Sequence, residues 1–166
     1  MTDHCRHDLP RVVLLTGDAA ARGPLGAMLA EKFGCPFYDL DDLAEVVHEH
    51  REGAYLPAGQ IVQTRGAEHF ATLQWQAAIE LLNLLERQDA PAVVAAGEDI
   101  RGNERAWHVL RHLGPKVRLE AGETPLPADD PPDARLDLRG VNLNDPPARA
   151  AALDALRRAI EQGKTE

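Results

Sequence analysis

The chain is expected to fold as an α/β protein, a three-layer α/β/α sandwich around a five-stranded parallel sheet. Two observations predict this. Strand-like runs, most of them continuously apolar as strands buried on both faces are, occur five times. Between them lie stretches whose apolar residues repeat every three to four positions, the period of a helix packed on one side. A third observation sets the scale: 166 residues, 44% of them apolar, suit one domain with a real core and exclude global disorder.

Taken in order, Arg11 to Gly17 (RVVLLTG) is β-branched and leucine-rich and stops at a glycine, as a buried strand does. A small-residue turn follows. Pro24 to Phe33 carries Leu25, Met28, Leu29 and Phe33 at helical spacing, with proline near its start and Gly34 after its end. Pro36 to Leu40 is a short strand, and Asp41 to His50 sets Leu43, Val46 and Val47 on one helical face. Gly66 to Gln88 repeats the helical pattern through Phe70, Leu73, Ala77, Leu81, Leu84 and Leu85, and Ala92 to Gly97 is again strand. Asn103 to Leu113 gives a helix, Lys116 to Ala121 a strand, Arg135 to Leu143 a last strand, and Ala148 to Gln162 a final helix started by Asp145-Pro146-Pro147. Between them, Gly122 to Asp133 is rich in proline and acid and reads as a loop. Residues 1–10 read as a flexible leader and residues 11–166 as one domain.

Charge limits the function classes. Lys plus Arg number 18 against 27 Asp plus Glu, a formal net charge of −9, and only Lys32, Lys116 and Lys164 are lysines. An acidic chain without a basic cluster lacks the footprint for phosphate-backbone binding, so nucleic acid is not an expected partner, and anionic membrane would be repelled. No apolar run approaches the ~20 residues of a membrane-spanning helix, and the first residues do not resemble a signal peptide, so a cytoplasmic protein is expected. Cys5 and Cys35 fit no zinc or disulfide spacing, and the absence of serine excludes a serine nucleophile.

In an open α/β sheet the first strand-to-helix turn is the usual phosphate cradle. Here it is GDAAARGPLG. Against the pattern G-x-x-x-x-G-K-[ST], counted from Gly17, Arg22 stands at the second glycine, Gly23 at the lysine and Pro24 at the hydroxyl. Pro24 also removes a backbone donor, and Asp18 sets a negative charge in the loop mouth. Arg22 is the one residue there with a guanidinium to offer a phosphate.

The run GAMLAEKFGCPFYDLDD, with Gly26, Leu29, Ala30, Phe33, Gly34, Pro36, Phe37, Asp39 and Asp41, resembles the shikimate kinase family of P-loop kinases. VVAAGEDIRGNERAWHVL is similar to that family's later strand, glycine triplet and helix. The resemblance implies a P-loop kinase-like fold, with Asp39 near Mg²⁺ and Asp41 accepting hydrogen bonds from shikimate hydroxyls. Gly17, Arg22, Gly23, Asp41 and Gly97 become the candidate ligand-binding residues, and Arg22 and Asp39 the candidate catalytic ones if the chain is active.

The departures are as specific as the matches. The Walker A lysine and its neighbouring hydroxyl are absent; counted back from Gly26 the loop is one residue shorter than the family's, which would bring Arg22 to the lysine's place but restores no Ser or Thr. The family's Phe-Arg pair, which grips the substrate carboxylate, is Phe70-Ala71, and the glycine triplet is Gly97-Glu98-Asp99, whose carboxylates would repel an anionic substrate. Only residues 122–134 stand where the family carries its arginine-bearing lid. Phosphoryl transfer depends on positioning and charge neutralisation, so the expected function is a pseudoenzyme with a binding, regulatory or scaffold role. It would require no cofactor, and its partner would be a protein or small molecule, with a homodimer possible. The alternative is a divergent active kinase using ATP and Mg²⁺ on shikimate or a related hydroxylated substrate.

Other groupings have plainer readings. Asp39, Asp41 and Asp42 are metal-ligand candidates or a helix cap. His48 and His50 point to different sides of a helix, His108 and His112 read as solvated, and His4, Cys5 and His7 form a loose set in the leader. Trp75 and Trp107 are read as core.

Overall fold

The computed structural model describes residues 11–97, 100–120 and 134–163. The expected leader at 1–10, Glu98, Asp99 and the expected loop at 122–133 lie outside the described residues. Five strands form one sheet: β1 (Val12–Gly17), β2 (Phe37–Asp39), β3 (Ala92–Ala95), β4 (Lys116–Glu120) and β5 (Ala134–Asp137), in the order β2-β3-β1-β4-β5. β1 is the middle strand, parallel to β3 on one side with Val13 opposite Val93, and to β4 on the other with Leu15 opposite Val117. β4 and β5 are also parallel. This is the α/β architecture expected from the alternation of apolar runs and helical periods.

Packing divides the chain into two compact units. One comprises Met1–Phe37, Pro91–Ala95 and Gly114–Glu166, the other Tyr38–Ala90 and Ala96–Leu113. In the first unit, α1 (Ala19–Phe33) and α6 (Pro146–Gly163) supply Leu25, Leu29, Leu156 and Ile160 to a core with Val13, Leu15, Val117 and Leu119. Burying each such side chain contributes about 1.5–3 kcal/mol. α1 ends at Gly34, whose left-handed backbone (φ 64°) lets its N–H return to the helix carbonyls. Gly26 faces the sheet, and a Cβ there would overlap the Phe37 ring. That contact explains a glycine inside a helix, where it otherwise costs stability.

The second unit is helical. It contains α2 (Leu40–Glu52), α3 (Ala58–Arg65), α4 (Ala67–Gln88), a 3₁₀ turn at Ile100–Gly102 and α5 (Glu104–Leu110). α4 packs against α2, α3 and α5 through Phe70, Leu73, Ala77, Ala78, Leu81 and Leu85.

Four local expectations are corrected. α1 starts at Ala19, five residues before the expected Pro24, because Ala19-Ala20-Ala21-Arg22 are strong helix formers and continue the helix backwards. α3 was not anticipated, since Ile61 is its single buried residue and one anchor gives no period. The last strand stops at Asp137, ahead of a turn in which Gly140 takes φ 76°. Trp75 is half-buried rather than core, with the Arg105 guanidinium 4.7 Å over its ring. Among the described residues, no helix is long and apolar enough to cross a membrane.

Candidate functional site

At the β1–α1 junction, Asp18 alone separates strand from helix. Its carboxylate accepts the Ala20 N–H at 2.9 Å, and its carbonyl accepts those of Ala21 at 3.2 Å and Arg22 at 3.0 Å. Asp18's own N–H goes to the Leu119 carbonyl at 2.9 Å. A phosphate cradle exposes such donors; here they are satisfied internally, and the capping group is an anion. Gly17 is required by the sheet, since it takes φ 97° and a Cβ would collide with the Leu119 carbonyl. Arg22 lies within α1 and is buried, 5% exposed. Gly23 and Pro24 are also inside the helix, and a Cβ on Gly23 would meet nothing within 4 Å.

The second unit holds Asp39, Asp41 and Asp42. Asp39 caps α2, accepting the Asp41 N–H at 2.9 Å. Burial raises the Asp39 carboxyl above its ordinary range, and the negative charges of Asp42 and Asp41 push it the same way. Asp42 is raised too, by burial and then by Glu45 and Asp41.

Asp41 Oδ1 accepts from Gln74 Nε2 at 2.9 Å. Gln74 Oε1 in turn accepts from Asn103 Nδ2 at 3.1 Å, and the same amide donates to the Ala71 carbonyl at 2.7 Å. Asn103 Oδ1 takes the Ala106 N–H at 3.3 Å and caps α5. Gly97 lies directly against this pair, and a Cβ on it would overlap Asp41 Oδ1 and Gln74 Nε2.

The family model for shikimate kinase matches residues 20–123, well over half the chain. The chain belongs to the shikimate kinase family. Solved structures that resemble it include shikimate kinase from Bacteroides thetaiotaomicron, at 17% identity and TM-score 0.63 over 92% of this chain and 99% of that one. Shikimate kinase from Aquifex aeolicus matches at 22% identity and TM-score 0.52, over 91% of this chain and 82% of that one. Shikimate kinase from Acinetobacter baumannii in complex with shikimate matches at 24% identity and TM-score 0.51, over 66% of this chain. The match spans 55% of the Acinetobacter chain. No curated protein matches significantly.

Within this shikimate kinase fold, the sequence-derived candidates separate by unit. Gly17, Arg22 and Gly23 belong to the first unit, while Asp41 and Gly97 belong to the second and touch the same amide. Asp39 is tied up as a helix cap, and among the described residues no group of three His, Cys, Asp or Glu side chains could hold a metal ion. His48 is buried and His50 exposed, as their two-residue spacing implies. Burial pushes the Cys35 thiol up, against nucleophilic use. Gln74 and Asn103 were not singled out in the sequence. The signal for Gln74 was a polar residue in the apolar stripe between Phe70 and Ala78.

Proposed function

We propose that this shikimate kinase family member is a pseudoenzyme that does not transfer phosphate and acts as a binding, regulatory or scaffold protein in the cytoplasm. The observation that carries the reading is the β1–α1 junction, where a helical turn capped by Asp18 stands in place of an open loop. A triphosphate there would have to break the cap, unwind the turn and approach a carboxylate, each step opposed by the local chemistry. The residues present therefore do not fit ATP and Mg²⁺, and no cofactor is required. What the chain keeps is the second unit, with Asp41 as an oriented hydrogen-bond acceptor for a small hydroxylated ligand.

Incubation with ATP, Mg²⁺ and shikimate, followed by phosphorus NMR, tests the reading. Neither ADP nor a phosphate ester above background is expected. Turnover of about 1–100 per second, the ordinary kinase range, would overturn it and establish the alternative, an active kinase using Arg22 and Asp39.

A further inference from the structure

We propose that His48 and His69 form a two-imidazole site for a divalent transition-metal ion of the zinc, copper and nickel class, which clamps the second half of α2 to the start of α4. The site lies wholly within the second unit and does not depend on the pseudoenzyme reading.

His48 stands with Leu40, Ala44 and Val47 on the buried side of α2, the helix that packs against α4, and is 2% exposed. His69 is half-buried near the start of α4. His48 Nδ1 and His69 Nε2 are both buried, and neither has a hydrogen-bond partner among the described residues. Buried ring nitrogens are ordinarily paired, so two such atoms on neighbouring rings call for a physical reason. The carboxylates one helical turn to either side of His48 are committed elsewhere. Glu45 accepts the Tyr55 hydroxyl at 2.9 Å and the Ala58 N–H at 2.8 Å, and Glu52 pairs with Arg65 at 3.0 Å.

The spacing of the rings separates the ways they could satisfy one another. Their centroids are 6.1 Å apart and their planes stand at 88°, so they do not stack. A direct imidazole–imidazole hydrogen bond would bring the centroids to about 5.2 Å. Two nitrogens sharing one metal at 2.0–2.1 Å each put the centroids about 5.2 to 6.4 Å apart, as the angle at the metal opens from tetrahedral toward linear. The observed distance is too long for the first arrangement and falls within the second.

The donor type sets the class of ion. Neutral imidazole offers one lone pair per ring and suits zinc, copper and nickel, whereas magnesium and calcium require oxygen. With two protein ligands the remaining positions go to water, and half-buried His69 forms the solvent side of the site. An ion held there ties α2 to α4 and stabilises the folded state by mass action.

The test uses the untagged full chain carrying His4→Gln, Cys5→Ala, His7→Gln, His50→Gln, His108→Gln and His112→Gln, which leaves His48 and His69 as its only histidines. Calorimetric titration with zinc chloride is expected to show one ion per chain, and titration with magnesium chloride no heat of binding. Zinc at tenfold its dissociation constant is expected to raise Tm by roughly 3–6 °C. The electron paramagnetic resonance spectrum of the copper-loaded chain is expected to show splitting from two imidazole nitrogens. In the same background, His69→Gln and His48→Leu are each expected to weaken zinc binding at least about tenfold, with circular dichroism unchanged.

The proposal is overturned if the two-histidine chain binds no zinc, which is the outcome expected were water alone to fill the gap between the rings. It is equally overturned if the copper spectrum counts fewer than two imidazole nitrogens, or if folded His69→Gln binds zinc as its parent does. The spectrum and His69→Gln decide the matter even where His48→Leu fails to fold. Phosphoryl turnover, measured separately, bears on the pseudoenzyme reading and leaves the metal result untouched.

Discussion

Asp18 closes the front of α1 by taking the Ala20 N–H on its own side chain at 2.9 Å. Asp18→Ala is expected to destabilise the protein by about 1 kcal/mol, the usual worth of such a cap, while Asp18→Asn, which also caps, stays within a few tenths. Thermal denaturation of the three proteins checks this. Addition of ATP with Mg²⁺ is expected to leave the native Tm unchanged, because a ligand that does not bind the folded state contributes nothing to its stability.

Gly23 provides the converse case. It lies within α1 with open space where a Cβ would stand, so no packing or backbone conformation demands glycine. Gly23→Ala should therefore stabilise by about 0.5–1 kcal/mol. For a chain of 166 residues this corresponds to a Tm increase of roughly 1–4 °C, measurable by calorimetry.

Gly26 and Gly97 should behave in the opposite way. A methyl on Gly26 would press into the Phe37 ring, and one on Gly97 into the Asp41–Gln74 pair. Overpacking of this kind costs about 1–3 kcal/mol. Urea denaturation of Gly26→Ala and Gly97→Ala should show both midpoints lowered.

Asp39 sets a pH dependence. Its carboxyl is raised in the folded protein relative to the unfolded chain, so the ionised form is disfavoured by folding and the cost is present above the folded pKa. As pH falls from neutral through that raised value, the cost is relieved. Asp39→Asn keeps the cap on the Asp41 N–H without the charge. It should stabilise at pH 7 by a few tenths of a kcal/mol after solvent screening, an advantage that shrinks as the pH approaches 4. Parallel melts at the two pH values check the sign.

The sheet and its helices were legible because their apolar side chains carry strong periods: Val12 to Leu15 and Ala92 to Ala95 are continuous, and Phe70 to Leu85 recur on one face of α4. The start of α1 was not read correctly. A glycine-terminated strand followed by small residues suits a loop or a helix, and the choice depends on summed propensities that compete with the turn signals of Gly23 and Pro24. The second half of the candidate site was only partly visible. Asp41 and Gly97 stand out within a familiar pattern, but the bonds that orient Asp41 come from Gln74 and Asn103, 33 residues and more along the chain. No local spacing records that meeting; it arises when α2 and α5 each pack against α4.

The three alanines that open α1 also bear on which conformation this stretch takes. The segment between Gly17 and Leu25 has nearly the length a phosphate-binding loop needs. Helix and cradle are alternative conformations of the same stretch, and alanine favours the helix over glycine by about 1 kcal/mol at each position. Replacing all three by glycine would therefore remove several kcal/mol of helical preference, and the Asp18 cap adds about 1 kcal/mol more. The helical start of α1 thus rests on the intrinsic preference of a few methyl groups, and glycine scanning of residues 19–21 would measure it one residue at a time.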